Sequence, residues 1–218
     1  MSENDTQYEG GFWPNNLVLG LGCGGPTGLH FGVGWRLPRG SSILDLGCGN
    51  GQNAKWLAAC GFKITAVDKS EDFIERVKTR PEAINAWYQN INAEIKTELA
   101  DILTWLFDHD QKYDAIICMN ILQQLPEEKI PEIIKRIQEM TMIKGFNAIA
   151  AIISDNPREW AERVENGGSS FQQCELNEYY DNSNWSVINY AERKTKPERH
   201  CGGEEHRHHV VEMIAQKA

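Results

Sequence analysis

Three glycines and three carboxylates in the first half of this 218-residue chain have the types and the spacing to hold a ligand. Asp45-Leu-Gly47-Cys-Gly49-Asn50-Gly51 sets glycines at alternate positions, where a backbone turns sharply and lets a bound group come close. The residues after Gly51 read as a helix, so its free N–H groups and positive end would face that group. Asp68 closes an apolar run 17 residues beyond Gly51, placed to accept hydrogen bonds from both hydroxyls of a ribose. Asp101 closes the next alternating run, and Asn120 follows a further apolar one. Lys69 and Ile102, beside the two acids, are candidates for the same site. For Asn120, a plain strand-end turn is an equal reading.

These residues need elements to position them, and the periodicity supplies them. Ile43–Leu46, Lys63–Val67, the alternating Ile95, Thr97 and Leu99, Tyr113–Met119 and Asn147–Ile153 read as strands. Between them, residues 53–60, a segment capped by Ser70 and bounded by Pro81, Leu103–Phe107 and an amphipathic run from Ile130 to Met140 read as helices. Gly145 is expected to turn the chain into the fifth strand, and Asp114 to act as a structural cap. The alternation βαβαβαβαβ folds, through right-handed crossovers, into an open parallel sheet with helices on both faces. Trp185–Ala191 and Val210–Ala215 break the alternation and should pair antiparallel at one edge, making a Rossmann-like, mostly parallel seven-stranded sheet. Residues 1–40, rich in Gly, Trp and Pro, read as a cap on the domain at 41–218. Their Tyr8, Trp13 and Trp35 are either a lining over the site or ordinary core.

The glycine spacing separates two nucleotide-derived cofactors. A dinucleotide fingerprint needs its third glycine where this chain has Gln52, which argues against a nicotinamide-dependent oxidoreductase. Asp45-x-Gly-x-Gly-x-Gly51 resembles motif I of the class I S-adenosylmethionine-dependent methyltransferases. Gly47–Ala58, Ala66-Val-Asp-Lys-Ser70, Glu178-Tyr-Tyr180, Trp185–Glu192 and His206–Lys217 narrow the resemblance to the tellurite-resistance methyltransferase family, over roughly residue 41 to the end. The resemblance implies S-adenosylmethionine as cofactor, its methionine end on the Gly loop, its ribose on Asp68 and its adenine amino group at Asp101. It departs from the family at Ile143-Lys-Gly145-Phe, where one glycine stands for two after a proline. The implied activity is methyl transfer to a small molecule: a thiol, a metalloid oxyanion or a small metabolite. A protein that binds the cofactor without catalysis is the other class of reading.

Acceptor groups are sought in the tail. Residues 193–209 hold five Arg or Lys against three Glu, with four of the six histidines. The resemblance implies a hairpin arching over the site; His206 and His208, on one strand face, and Arg193 are the candidate catalytic groups, against the alternative of a solvated edge loop. His200, Cys201, His206 and His208 match no standard zinc spacing, so no metal is expected. Cys48, Cys60 and Cys118 fall in packed segments and read as small hydrophobes, not as a thiol relay.

The composition limits partners. A net charge of −9 opposes a phosphate backbone, and Met119-Asn-Ile-Leu-Gln123 lacks the Asn/Asp-Pro-Pro-aromatic signature of enzymes that methylate base amines, so nucleic acid is not expected. No run approaches a membrane span, residues 1–11 are acidic, and the six cysteines include no C-x-x-C pair, which together point to a reduced, cytoplasmic protein. Oligomeric state is not legible.

Overall fold

The computed structural model describes residues 36–78, 94–153, 165–194 and 208–218, together with Val33 and Ala161. In order, the elements are β1 Ser42–Leu46, α1 Gln52–Ala59, β2 Lys63–Asp68, α2 Glu71–Lys78, β3 Glu94–Leu99, α3 Ile102–Asp108, β4 Tyr113–Met119, α4 Ile130–Met140, β5 Thr141–Ile153, α5 Glu175–Glu178, β6 Trp185–Lys194 and β7 His209–Lys217. Two single-turn 3-10 segments, Leu122–Gln124 and Glu127–Lys129, lead from β4 into α4. The sheet runs β3-β2-β1-β4-β5-β7-β6. The first five strands are parallel, and β7 lies antiparallel between β5 and its hairpin partner β6.

The central strands are apolar on both faces because both faces are covered. Ile43 and Ile117 pack with Leu57 of α1 and with Ile74 and Val77 of α2 on one side. Leu44, Leu46 and Ile116 pack with Trp105 and Leu106 of α3 and with α4 on the other. Ile130, Ile133, Ile134, Ile137 and Met140 are all buried, as the helical spacing requires, and each buried isoleucine contributes ~1.5–3 kcal/mol. Asp114 is structural: its Oδ2 accepts from Ser42 N at 2.7 Å and Ser42 Oγ at 2.9 Å, tying β4 to β1.

The entry to β5 differs from expectation. The strand begins at Thr141, straight from α4, and its pairing with β4 shifts between Tyr113↔Thr141 and Ala115↔Phe146, leaving Met142–Gly145 as a bulge. Lys144, not Gly145, takes the left-handed turn, at φ +64°. Gly145 is required by crowding instead, since a Cβ there would lie 2.8 Å from the carbonyl oxygens of Asp114 and Met142.

The C-terminal strands are locked onto α4. Lys217 Nζ donates to the carbonyls of Gln138 at 2.6 Å and Thr141 at 3.0 Å and stands over the Trp185 ring. Inside, Asn147 donates to the Tyr180 hydroxyl at 2.9 Å and accepts from Thr141 Oγ1 at 2.6 Å, so the polar atoms of this buried trio are partnered. Among the described residues no helix is long and apolar enough to cross a membrane. Residues 1–32, Trp35 and Pro81 lie outside the described residues, and with them most of the expected cap.

Candidate functional site

Gly47, Gly49 and Gly51 all have positive φ, at 65°, 53° and 78°, but for different spatial reasons. A Cβ on Gly47 would stand 2.6 Å from Ile121 Cγ1, and one on Gly51 would stand 2.7 Å from Val77 Cγ2. A Cβ on Gly49 would meet nothing within 4 Å, so only this glycine opens onto free space. The loop is hung on the end of β2, with Gly47 N and Cys48 N donating to the Val67 carbonyl at 2.9 and 3.0 Å. Asp68, only 8% exposed, completes the tie: Oδ2 accepts from Gly49 N and Oδ1 from Ser70 N, both at 2.9 Å. Those two bonds fix the plane of the carboxylate and leave lone pairs on both oxygens.

Beside this carboxylate is a cavity of about 400 Å3, within the ~300–1,000 Å3 of small-molecule sites. Gly47, Gly49, Asp68, Lys69, Asp101, Ile102 and Asn120 border it, seven residues the sequence had singled out. Asp101 caps α3 by accepting from Leu103 N at 2.8 Å. Ser70, Phe73, Leu103, Ile121, Gln124, Leu125, Pro126 and Gly167 complete the lining. None of these was singled out for the site from the sequence, and Gly167 comes from farthest along the chain. It precedes Ser169, whose N–H donates to the Gln123 carbonyl at 3.1 Å and whose hydroxyl donates to the Leu122 carbonyl at 2.9 Å. Gly-Gly-Ser-Ser170 marks a turn in the sequence, but nothing in it names the surface on which the turn lands.

Three other motif residues do not border the cavity. Asp45 lies 1% exposed beneath the loop, where its carboxyl accepts from Ala54 N and its Oδ2 has no partner. Burial, with the Asp68 charge adding to it, pushes Asp45 up to about 7. Asn50 faces solvent, its carbonyl accepting from Lys55 Nζ at 3.2 Å. Gly51 serves the packing of α2 against the start of α1. Cys48 is buried, and burial together with Asp45 and Asp68 pushes its thiol up, so it stays protonated as a small packing group. Burial does the same to Cys60 and Cys118.

In the tail, Arg193 is engaged by Glu212 at 2.7 and 3.2 Å, on the outer hairpin and away from the cavity. His208 is half-buried just before β7 and is not a cavity residue. His200, Cys201, His206 and Arg207 lie outside the described residues. The register Lys194↔His209↔Ile153 brings the ends of the β6–β7 connection to the C-terminal end of β5, the end of the sheet on which the cavity opens.

The model of the tellurite resistance protein TehB family matches residues 36–206. The chain belongs to the TehB family. It is 31% identical over 150 residues to the probable S-adenosyl-L-methionine-dependent methyltransferase TehB of Haemophilus influenzae (strain 10810), an overlap of 69% of this chain and 48% of that protein. The chain thus spans about half the length of the curated TehB relatives it matches. The crystal structure of TehB from Haemophilus influenzae superposes with a TM-score of 0.65 at 28% identity, covering 82% of this chain and 58% of that one. A Methanosarcina mazei methyltransferase structure matches with a TM-score of 0.62 at 18% identity, over 84% and 94% of the two chains, which shows the shared fold. The architecture is that of the class I methyltransferases.

Proposed function

We propose that this chain is a methyltransferase that uses S-adenosylmethionine to methylate a small-molecule acceptor. The observation that carries the reading is the carboxylate of Asp68, buried on its protein side, oriented by two backbone N–H groups and bordering the cavity it shares with Gly49 and Asp101. Such a carboxylate suits a vicinal diol. The donor set fits this cofactor in three further respects. Gly49 leaves space for a ligand against the backbone, Asp101 faces the cavity at the neighbouring strand tip, and Phe73, Ile102 and Leu103 give that side apolar walls for a purine. The family relative from Haemophilus influenzae, named for the same cofactor, supports the reading.

When bound, the cofactor supplies a methyl group on a cationic sulfonium. The chain's part is to align and to exclude water. Asp68 and Asp101 would hold the nucleoside, the Gly47–Gly49 backbone would hold the amino-acid end, and the β4–α4 connection with Gly167 borders the rest of the cavity. Alignment of this kind contributes ~7–11 kcal/mol to a displacement. Calorimetry with S-adenosylhomocysteine tests the reading: Asp68→Ala weakens binding by ~10–100-fold, the loss expected for a charged hydrogen-bond partner. Equal affinity of the two proteins refutes the assignment.

A further inference from the structure

This inference rests on the functional reading above for its ligand and concerns a part of the chain which that reading does not use. Residues 165–194 run without a break from the cavity, which Gly167 borders, to β6, the outermost strand of the sheet. Near the cavity this segment is fastened to two other elements. Ser169, 2% exposed, bonds the Leu122 and Gln123 carbonyls, and Phe171 N donates to the Ile152 carbonyl of β5 at 3.1 Å. Phe171, Leu176 and Tyr180 are buried in the same cluster as α4.

Between Phe171 and Leu176 the chain leaves that core, and Gln172, Gln173 and Cys174 are exposed. Cys174 holds φ +65°, a left-handed conformation that costs a non-glycine residue energy and persists only where its surroundings enforce it. Its N–H meets the half-buried Glu192 of β6, whose Oε1 accepts from Cys174 N at 2.6 Å and from the Tyr190 hydroxyl at 2.5 Å. Burial first, and then the bond to Glu192, push the Tyr190 hydroxyl up, so it remains a donor. Two donors from separate elements thus converge on one carboxylate oxygen, and bonds to a carboxylate are among the stronger hydrogen bonds.

We propose that Glu192 is a positioning residue that ties residues 167–174, as a strap, to the β6–β7 hairpin, so that occupation of the cavity and closure of the hairpin edge are linked. A ligand held against Gly167 opposes every opening that carries the strap away. Strap and hairpin edge open together while the Glu192 bond to Cys174 holds, as one cooperative unit. By reciprocity, a hairpin that holds the strap favours the occupied cavity.

Hydrogen exchange of the full chain, resolved to peptides 165–174 and 185–194, tests the link with and without S-adenosylhomocysteine. At about 100 times its Kd, a ligand slows an opening that abolishes binding by up to ~100-fold. In the unaltered protein the proposal expects slowing of about tenfold or more in 165–174 and about threefold or more in 185–194. Glu192→Ala keeps the slowing in 165–174 and loses it in 185–194, whereas Glu192→Gln retains an accepting oxygen and keeps both. Exchange in β4 and α4 reports whether the alanine variant is folded. If it is not, Tyr190→Phe, which removes one of the two donors on Oε1, is expected to give a smaller slowing in 185–194. The proposal is overturned by no slowing in 185–194 of the unaltered protein, by slowing there that survives in Glu192→Ala or is undiminished in Tyr190→Phe, and by a Glu192→Gln protein that behaves as the alanine variant. Failure of the unaltered protein to bind S-adenosylhomocysteine in calorimetry overturns the functional reading, and this inference with it.

Discussion

Replacing Asp45 by asparagine should stabilise the ligand-free protein more at pH 8 than at pH 5. The carboxyl lies 1% exposed beneath the Gly loop with Oδ2 unpartnered, and burial raises it from 3.8 to about 7. The folded chain thus keeps this proton up to neutrality, while the unfolded chain releases it near pH 4. Between those values the unfolded state binds fewer protons, so this group's contribution to stability falls as pH rises and stays low above pH 7. A displacement of about three pH units corresponds to about 4 kcal/mol between the two limits, at ~1.36 kcal/mol per unit. Asparagine keeps the shape and carries no charge to desolvate. Urea denaturation of both proteins at pH 5 and pH 8 gives the stability difference at each pH, which cancels every other titrating group. The expected result is a difference in favour of the Asp45→Asn variant that grows by a few kcal/mol from pH 5 to pH 8. A constant difference, or one that shrinks, would falsify the reading of Asp45 as a buried, incompletely partnered acid. The same charge should attract a cationic ligand, so affinity for S-adenosylmethionine should rise through pH 7 in the unaltered protein and less in the variant.

Gly51→Ala combines a left-handed φ of 78° with a contact 2.7 Å from Val77 Cγ2, so it should destabilise by roughly 1–3 kcal/mol. Val77→Ala in the same chain should recover part of that loss in thermal denaturation, and strict additivity of the two changes would discount the contact. Lys217→Met removes a cation that caps the carbonyls of Gln138 and Thr141, and burial already holds this amine below the usual lysine range. It should cost ~1.5–3 kcal/mol in urea denaturation while leaving S-adenosylhomocysteine binding intact, and a shift in that affinity would tie the C-terminal lock to the cavity.

The sheet was legible because its strands and helices advertise themselves locally. Tyr113–Met119 is apolar throughout, the isoleucines from Ile130 recur every three or four residues, and β6 and β7 interrupt the alternation as an antiparallel pair. The β5 bulge was not legible, because Gly145 answers to the Asp114 carbonyl on a neighbouring strand and not to its own turn. Arg193 looked available in the sequence only because its partner, Glu212, stands on the adjacent strand.

Residue types and spacing by themselves pointed to the Gly-loop half of the cavity. The glycine pattern after β1 and the acids at the ends of β2 and β3 follow the local rule that a strand, a turn and a helix succeed one another along the chain. Only the tertiary structure assigned the glycines their separate duties, sank Asp45 beneath the loop and brought Gly167 to the cavity that Asp68 borders. Those outcomes depend on which distant atoms come within a few ångströms of one another. That is a property of packing in three dimensions, which periodicity along the chain does not encode.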